Sequence, residues 1–139
     1  MESEIIYGEL TYVLNGIFFE VHNTLGRCCN EHQYSDAIEE RLKKQEIEYT
    51  REYIIEPSFE GERAGRNRAD FIIANAIVIE VKAKKMVGRE DYFQTLRYLA
   101  ALNYKLGILI NFRQHLLRPK RIVNPAAPLK CIRISASSV

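Results

Sequence analysis

Apolar positions recur at helical intervals early in the chain. Leu10, Val13, Leu14, Ile17, Phe18, Val21 and Leu25 mark one face of a helix over residues 9–25, with Gly26 placed to cap its C-terminus. Residues 31–44, "EHQYSDAIEERLKK", repeat the pattern with Tyr34, Ala37, Ile38 and Leu42. The period then changes. "EIEYTREYIIEP" reads as a strand ending at Pro57, and the polar, glycine-containing "EGERAGRNR" as a turn. Two short apolar runs follow, Phe71–Ala74 and Ala76–Ile79, which predict buried strands joined at Asn75 in a tight hairpin. Helical spacing returns over residues 90–103, where Phe93, Leu96, Leu99 and Ala100 form the apolar stripe. "KLGILINF" is apolar throughout, as expected of a central strand covered on both faces. "RPKRIV" fits a short edge strand, and "NPAAPLKCIRISASSV" a loosely attached tail with one extra strand around Leu129–Ile134.

The order is α-α-β-β-β-α-β. Three consecutive strands, a helical crossover and a central strand make an α/β fold with a mixed central sheet flanked by helices. Residues 1–123 are expected to form the domain and residues 124–139 the C-terminal tail.

Composition narrows the class without naming it. With 139 residues and 47% apolar side chains, the chain can build one sizeable core. A net charge of +2 is too small to imply nucleic acid by itself. Its uncharged apolar stretches fall short of a membrane span. The acidic start "MESEIIYGEL" lacks the basic region of a signal peptide. Three cysteines, two of them adjacent at Cys28 and Cys29 and none in a CxxC pair, point to reduced thiols in a cytoplasmic protein.

The chemistry lies where the apolar pattern breaks. Asp70 opens the first run of the hairpin, and Glu80 and Lys82 close the second. Residues two apart in a strand share a face, so Glu80 and Lys82 point the same way, and a short hairpin brings Asp70 alongside. Two carboxylates at close range repel unless a cation lies between them. Mg²⁺ suits such hard oxygen donors and takes phosphate oxygens as further ligands. A neighbouring lysine can orient a water or offset charge on the phosphate. The plainer alternative is a simple ion pair at a strand end, since Glu-x-Lys is a common pattern.

The motif Asp70–x9–Glu80–x–Lys82 resembles the signature of the PD-(D/E)XK nuclease superfamily. Up to about Val123 the chain resembles one small branch, the GxxExxY family, in "FEVHNTLG", "EHQY", "NRADFII", "IVIEVKA", "QTLRY" and "LGILINF". The resemblance implies a restriction-endonuclease-like fold and a nuclease hydrolysing phosphodiester bonds in DNA, with RNA and a homodimer left open. It implies Mg²⁺, with Mn²⁺ as a substitute, held by Asp70, Glu80 and the backbone carbonyl of Val81, with Glu31 as a candidate third carboxylate. Gln94 and Tyr98 resemble the QxxxY motif that lies beside the active site of RecB-type nucleases. Two positions depart from the pattern. Ala69 stands where the superfamily name has proline, and Cys28 replaces the glycine of the branch name, which bears on loop geometry rather than on the metal trio.

Each secondary residue also has a structural reading. Glu31 suits the first turn of a helix, Tyr98 a helix–sheet core, and His22 a hydrogen bond to a neighbouring loop. Basic residues cluster before Asp70 (Arg66, Arg68), after Lys82 (Lys84) and beyond the central strand (Arg118, Lys120, Arg121). Such groups neutralise phosphates without reading sequence. The rivals to a nuclease are a binding module of the same fold and a non-enzymatic subunit of a larger assembly.

Overall fold

In the computed structural model, which describes residues 6–132, eight elements follow one another: α1 (Gly8–Leu25), α2 (Glu31–Lys44), β1 (Tyr49–Ile55), β2 (Asn67–Ile73), β3 (Ile77–Lys82), α3 (Arg89–Leu102), β4 (Leu106–Asn111) and β5 (Lys120–Val123). Both early helices end or begin where their side chains dictate. Gly26 takes a left-handed φ of 75° and returns its N–H to the His22 carbonyl. Asn30 caps α2 by accepting from the Gln33 amide, while Gln33 accepts from the Asn30 amide. Among the described residues, no helix is long and apolar enough to cross a membrane.

The five strands lie in the sheet in chain order, β1 to β5. Neighbours are antiparallel except β3 and β4, which run parallel because α3 carries the chain back between them. The β2–β3 hairpin turns through Ala74 and Asn75, both with positive φ, the geometry that suits a two-residue hairpin and that asparagine tolerates. All of β4, and all of β3 except Lys82, is buried, as their apolar runs require.

Helices α1 and α2 cover one face of the sheet and α3 the other. On the first, Phe18, Val21, Tyr34 and Ile38 pack with Phe71, Ile79, Ile108 and Ile110. The second face joins Ile72, Val78 and Leu109 to Tyr98 and Leu99. Glu80 and Lys82 share the parity of Val78 and so belong to the α3 face.

Two expectations need correction. The buried side of α3 is Asp91, Thr95, Tyr98 and Leu99, whereas Phe93 and Ala100 are exposed. The cause is polar: the helix covers the charged end of the sheet, so its inward stripe includes Asp91 and Thr95, and the apolar periodicity misplaces it by about one residue. The extra strand around Leu129–Ile134 is not formed over residues 129–132, while residues 133 and 134 lie outside the described residues. Pro125 and Pro128 each lack an amide donor, and a turn at residues 124–127 carries the chain away from β5.

One glycine sets the height of α3 above the sheet. A Cβ on Gly107 would lie 2.8 Å from Thr95 Cγ2, and Thr95 is a stiff β-branched side chain with no exposed surface. Gly107→Ala is therefore expected to lower stability by about 1–3 kcal/mol through overpacking, read as a lower midpoint in urea unfolding. Adding Thr95→Ser removes the methyl and keeps the hydroxyl bonded to the Asp91 carbonyl. The double variant should recover most of the loss. Equal midpoints for the single and double variants would contradict this account.

Candidate active site

The β2–β3 ladder pairs Ile73 with Ile77, Ile72 with Val78 and Phe71 with Ile79. Asp70 and Glu80 come next in that register, and there the side chains replace the backbone ladder. Glu80 Oε2 accepts the Asp70 amide at 2.9 Å, and Asp70 Oδ2 accepts the Val81 amide at 2.7 Å. Each carboxylate is thus fixed by a backbone N–H of the other strand or its continuation. Among the described residues, nothing hydrogen-bonds to Oδ1 of Asp70 or Oε1 of Glu80.

Electrostatics makes this arrangement costly in the absence of a cation. Glu80 is only 2% exposed. Burial, and then the charge of Asp70, push its carboxyl up to about 8, against the smaller opposing effects of the Asp70 amide and Lys82. Burial also raises the Asp70 carboxyl, although the Val81 amide and Lys82 oppose it. Two hard oxygen donors that repel, each with one oxygen free of hydrogen bonds, suit a divalent cation. Asp70, Glu80 and the Val81 carbonyl are the groups that would hold it.

Lys82 follows on the same face. Its Nζ donates to Gln94 Oε1 at 3.3 Å and lies 3.8 Å from Asp91 Oδ1. Tyr98, four residues beyond Gln94, is buried, and burial followed by the charge of Glu80 raises its phenol. Gln94 and Tyr98 therefore turn the α3 surface toward the lysine and the glutamate respectively. Glu31 is exposed in the first turn of α2, and its charge acts on both Asp70 and Glu80. Among the described residues, no three His, Cys, Asp or Glu side chains gather as a group.

The basic residues divide by engagement. Lys84 Nζ lies 2.7 Å from Asp91, so its charge is already matched by a carboxylate. Arg121 donates to the Ile6 carbonyl at 2.5 Å. Arg66, Arg68, Arg118 and Lys120 are exposed, Lys120 standing 5.3 Å over the Tyr92 ring. His22 has the structural place anticipated for it, its Nε2 bonding the Gln114 carbonyl at 2.8 Å. Cys28, at the departure from the branch pattern, lies exposed in the loop ahead of α2.

Two supporting residues escaped the sequence reading. Asp91, nearly buried at the start of α3, accepts from Lys84 Nζ and from the Gly88 amide. Burial raises its carboxyl, but those two bonds and the charges of Lys84 and Lys82 outweigh burial and leave it below the usual carboxylate range. Asn111 clamps the chain just past Lys82, donating to the Lys84 carbonyl at 2.7 Å and accepting the Lys84 amide at 3.1 Å. The signal for Asn111 was the one that exposed Glu80: a polar residue closing a wholly buried strand. Asp91 followed two lysines into a helix start, where an acid reads as a dipole partner.

No curated protein and no solved structure gives a significant match to this chain. A family model does, over residues 8–122, which spans α1 through most of β5 and includes every residue of the carboxylate–lysine cluster. With the mixed five-stranded sheet and the Asp70, Glu80 and Lys82 cluster on its α3 face, that match establishes that the chain belongs to the PD-(D/E)XK nuclease superfamily.

Proposed function

We propose that this protein is a Mg²⁺-dependent nuclease of the GxxExxY branch that hydrolyses phosphodiester bonds in DNA, with Mn²⁺ able to replace Mg²⁺. The observation that carries the reading is the interlocked Asp70–Glu80 pair, a half-buried and a buried carboxylate that repel each other, with Lys82 on the same face. A nuclease has a use for that arrangement, whereas a purely structural ion pair would place its cation between the acids.

A divalent cation bound there supplies Lewis acidity and lowers the pKa of a coordinated water. Asp70, Glu80 and the Val81 carbonyl hold that position. Lys82 orients the attacking water or offsets charge gathering on the phosphate. Gln94 holds the lysine by its amide oxygen, Tyr98 borders Glu80, and Glu31 adds negative field from the α2 side. Arg66, Arg68, Arg118, Lys120 and Arg121 draw the phosphate backbone toward the site, with Lys84 bracing Asp91 beneath it.

Incubation with linear, circular and single-stranded DNA, and with RNA, with Mg²⁺, Mn²⁺ or EDTA, tests the reading. Cleavage of DNA with either metal and none in EDTA is expected. Replacing Arg118, Lys120 and Arg121 together is expected to weaken binding to all sequences alike. It should also lower the slope of log affinity against log salt by up to about 2–3, at slightly under one per lost phosphate contact. An unchanged slope would remove the β4–β5 segment from the interface.

A further inference from the structure

A cleft of about 1040 Å³ opens between the start of α3 and the strands β4 and β5. Its lining includes Leu109 and Asn111, the residues paired with Glu80 and Lys82 across the β3–β4 ladder. The cleft therefore begins one strand spacing, about 5 Å, from the candidate active site. Among the described residues, four cationic side chains line it, Arg89, Arg118, Lys120 and Arg121, and no carboxylate does.

Two aromatic rings stand among these charges. Tyr92 and Phe93 meet edge to face at 5.5 Å. Phe93 is 52% exposed, although it sits one residue from a buried stripe that could have taken an apolar side chain. It lines both this cleft and the smaller pocket that contains Lys82 and Gln94, so the ring stands on the rim between them. Lone exposed apolar residues are ordinary. An exposed ring with arginines and a lysine around it, beside a lysine placed for phosphate chemistry, is the combination that binds unpaired nucleotides: bases stack on the ring while the cations follow the backbone. A duplex keeps its base faces covered and gives such a ring nothing to stack on.

We propose that this cleft holds a single-stranded segment of the nucleic acid, with one base stacked on Phe93 and its phosphates against Arg89, Arg118 and Lys120. The inference rests on the nuclease reading and sharpens it: the substrate has unpaired nucleotides next to the bond to be cut, as at a free end, flap or gap.

Fluorescence anisotropy in EDTA, where no cleavage occurs, separates the two claims. The probes are a labelled single-stranded oligonucleotide, the same strand in a blunt duplex, and the same single strand with abasic sites. Phe93→Ala is expected to weaken single-strand binding about 5- to 150-fold, the range of one lost base stack, and to leave duplex binding unchanged. Phe93→Trp should restore it, and the abasic strand should bind wild type and Phe93→Ala alike. Equal effects of Phe93→Ala on single strand and duplex, or no effect on either, would overturn the stacking site while leaving the nuclease reading intact. Failure of wild type to bind the single-stranded probe would overturn the stacking site, while the nuclease reading stands or falls separately on cleavage in the presence of Mg²⁺ or Mn²⁺. Should Phe93 instead serve a second copy of the chain, sedimentation would show self-association abolished by Phe93→Ala with nucleic-acid affinity untouched, which also overturns the proposal.

Discussion

Without a divalent cation, the protein is expected to lose stability as the pH rises from about 4.5 to about 8, the interval between the ordinary carboxyl value and that of folded Glu80. A carboxyl whose pKa is raised by folding binds its proton more tightly in the native state. Its contribution is complete below the unfolded value and is lost as the pH climbs through the folded one. Each pK unit corresponds to about 1.4 kcal/mol, so even part of this interval gives a decline of a few kcal/mol. Mg²⁺ or Mn²⁺ should oppose the decline by binding the native state, adding about 2.7 kcal/mol at a hundred times its dissociation constant. Glu80→Gln removes the buried charge, and Asp70→Asn removes the charge that repels it. Both variants should therefore show a flatter pH profile, no metal-linked rise in melting temperature, and cleavage no greater than a buffer blank. Thermal melts from pH 5 to pH 8, with and without metal, check the first two points. A wild-type profile in Asp70→Asn would mean the two carboxylates do not act as a pair. Wild-type cleavage by that variant would point to a contaminating nuclease.

The same carboxylate pair explains why this candidate site stood out in the sequence. Asp70 and Glu80 interrupt apolar runs, and a hairpin with one asparagine at its turn leaves little freedom over which residues face each other. The strands β3 and β4 were legible for a related reason: burial on both faces demands unbroken apolar sequence. The inward face of α3 was not legible. Thr95 is there because Gly107 lets the helix approach closely, and Asp91 because two lysines need a carboxylate. Both depend on contacts distant in sequence that no helical period records. The exposure of Phe93 is the counterpart of that rotation. The branch signature similarly led to Glu31 through resemblance, and in the fold its charge acts on both members of the pair.

Lys82→Ala is expected to separate holding the metal from using it. Glu80 and Asp70 keep their bonds from the Asp70 and Val81 amides in that variant, since neither bond involves the lysine. Metal should still raise the melting temperature, whereas cleavage should fall by about 10²–10³-fold, the usual loss when one group that stabilises developing charge is removed. Asp91→Asn probes the level beneath. Asp91 lies 3.8 Å from the Lys82 ammonium and 2.7 Å from that of Lys84, and it accepts the Gly88 amide that opens α3. Losing its charge leaves the lysines without their carboxylate and frees Lys82 to settle against Asp70 or Glu80. The cost expected of such an outer partner is about 10–100-fold in activity. It should fall on kcat rather than KM, because the exposed arginines proposed to meet the backbone are untouched. A purely structural role would instead lower thermal stability with kcat unchanged at a temperature well below the melt. Gln94→Ala should rank last, since its single 3.3 Å bond to Lys82 is long and leaves the Asp91 interaction in place. The order Lys82, Asp91, Gln94 in activity lost, with metal-linked stabilisation retained in all three, is the pattern of a lysine that acts on the water or the phosphate. Loss of the metal response in Lys82→Ala would place the ammonium in the metal site itself and reverse the assignment.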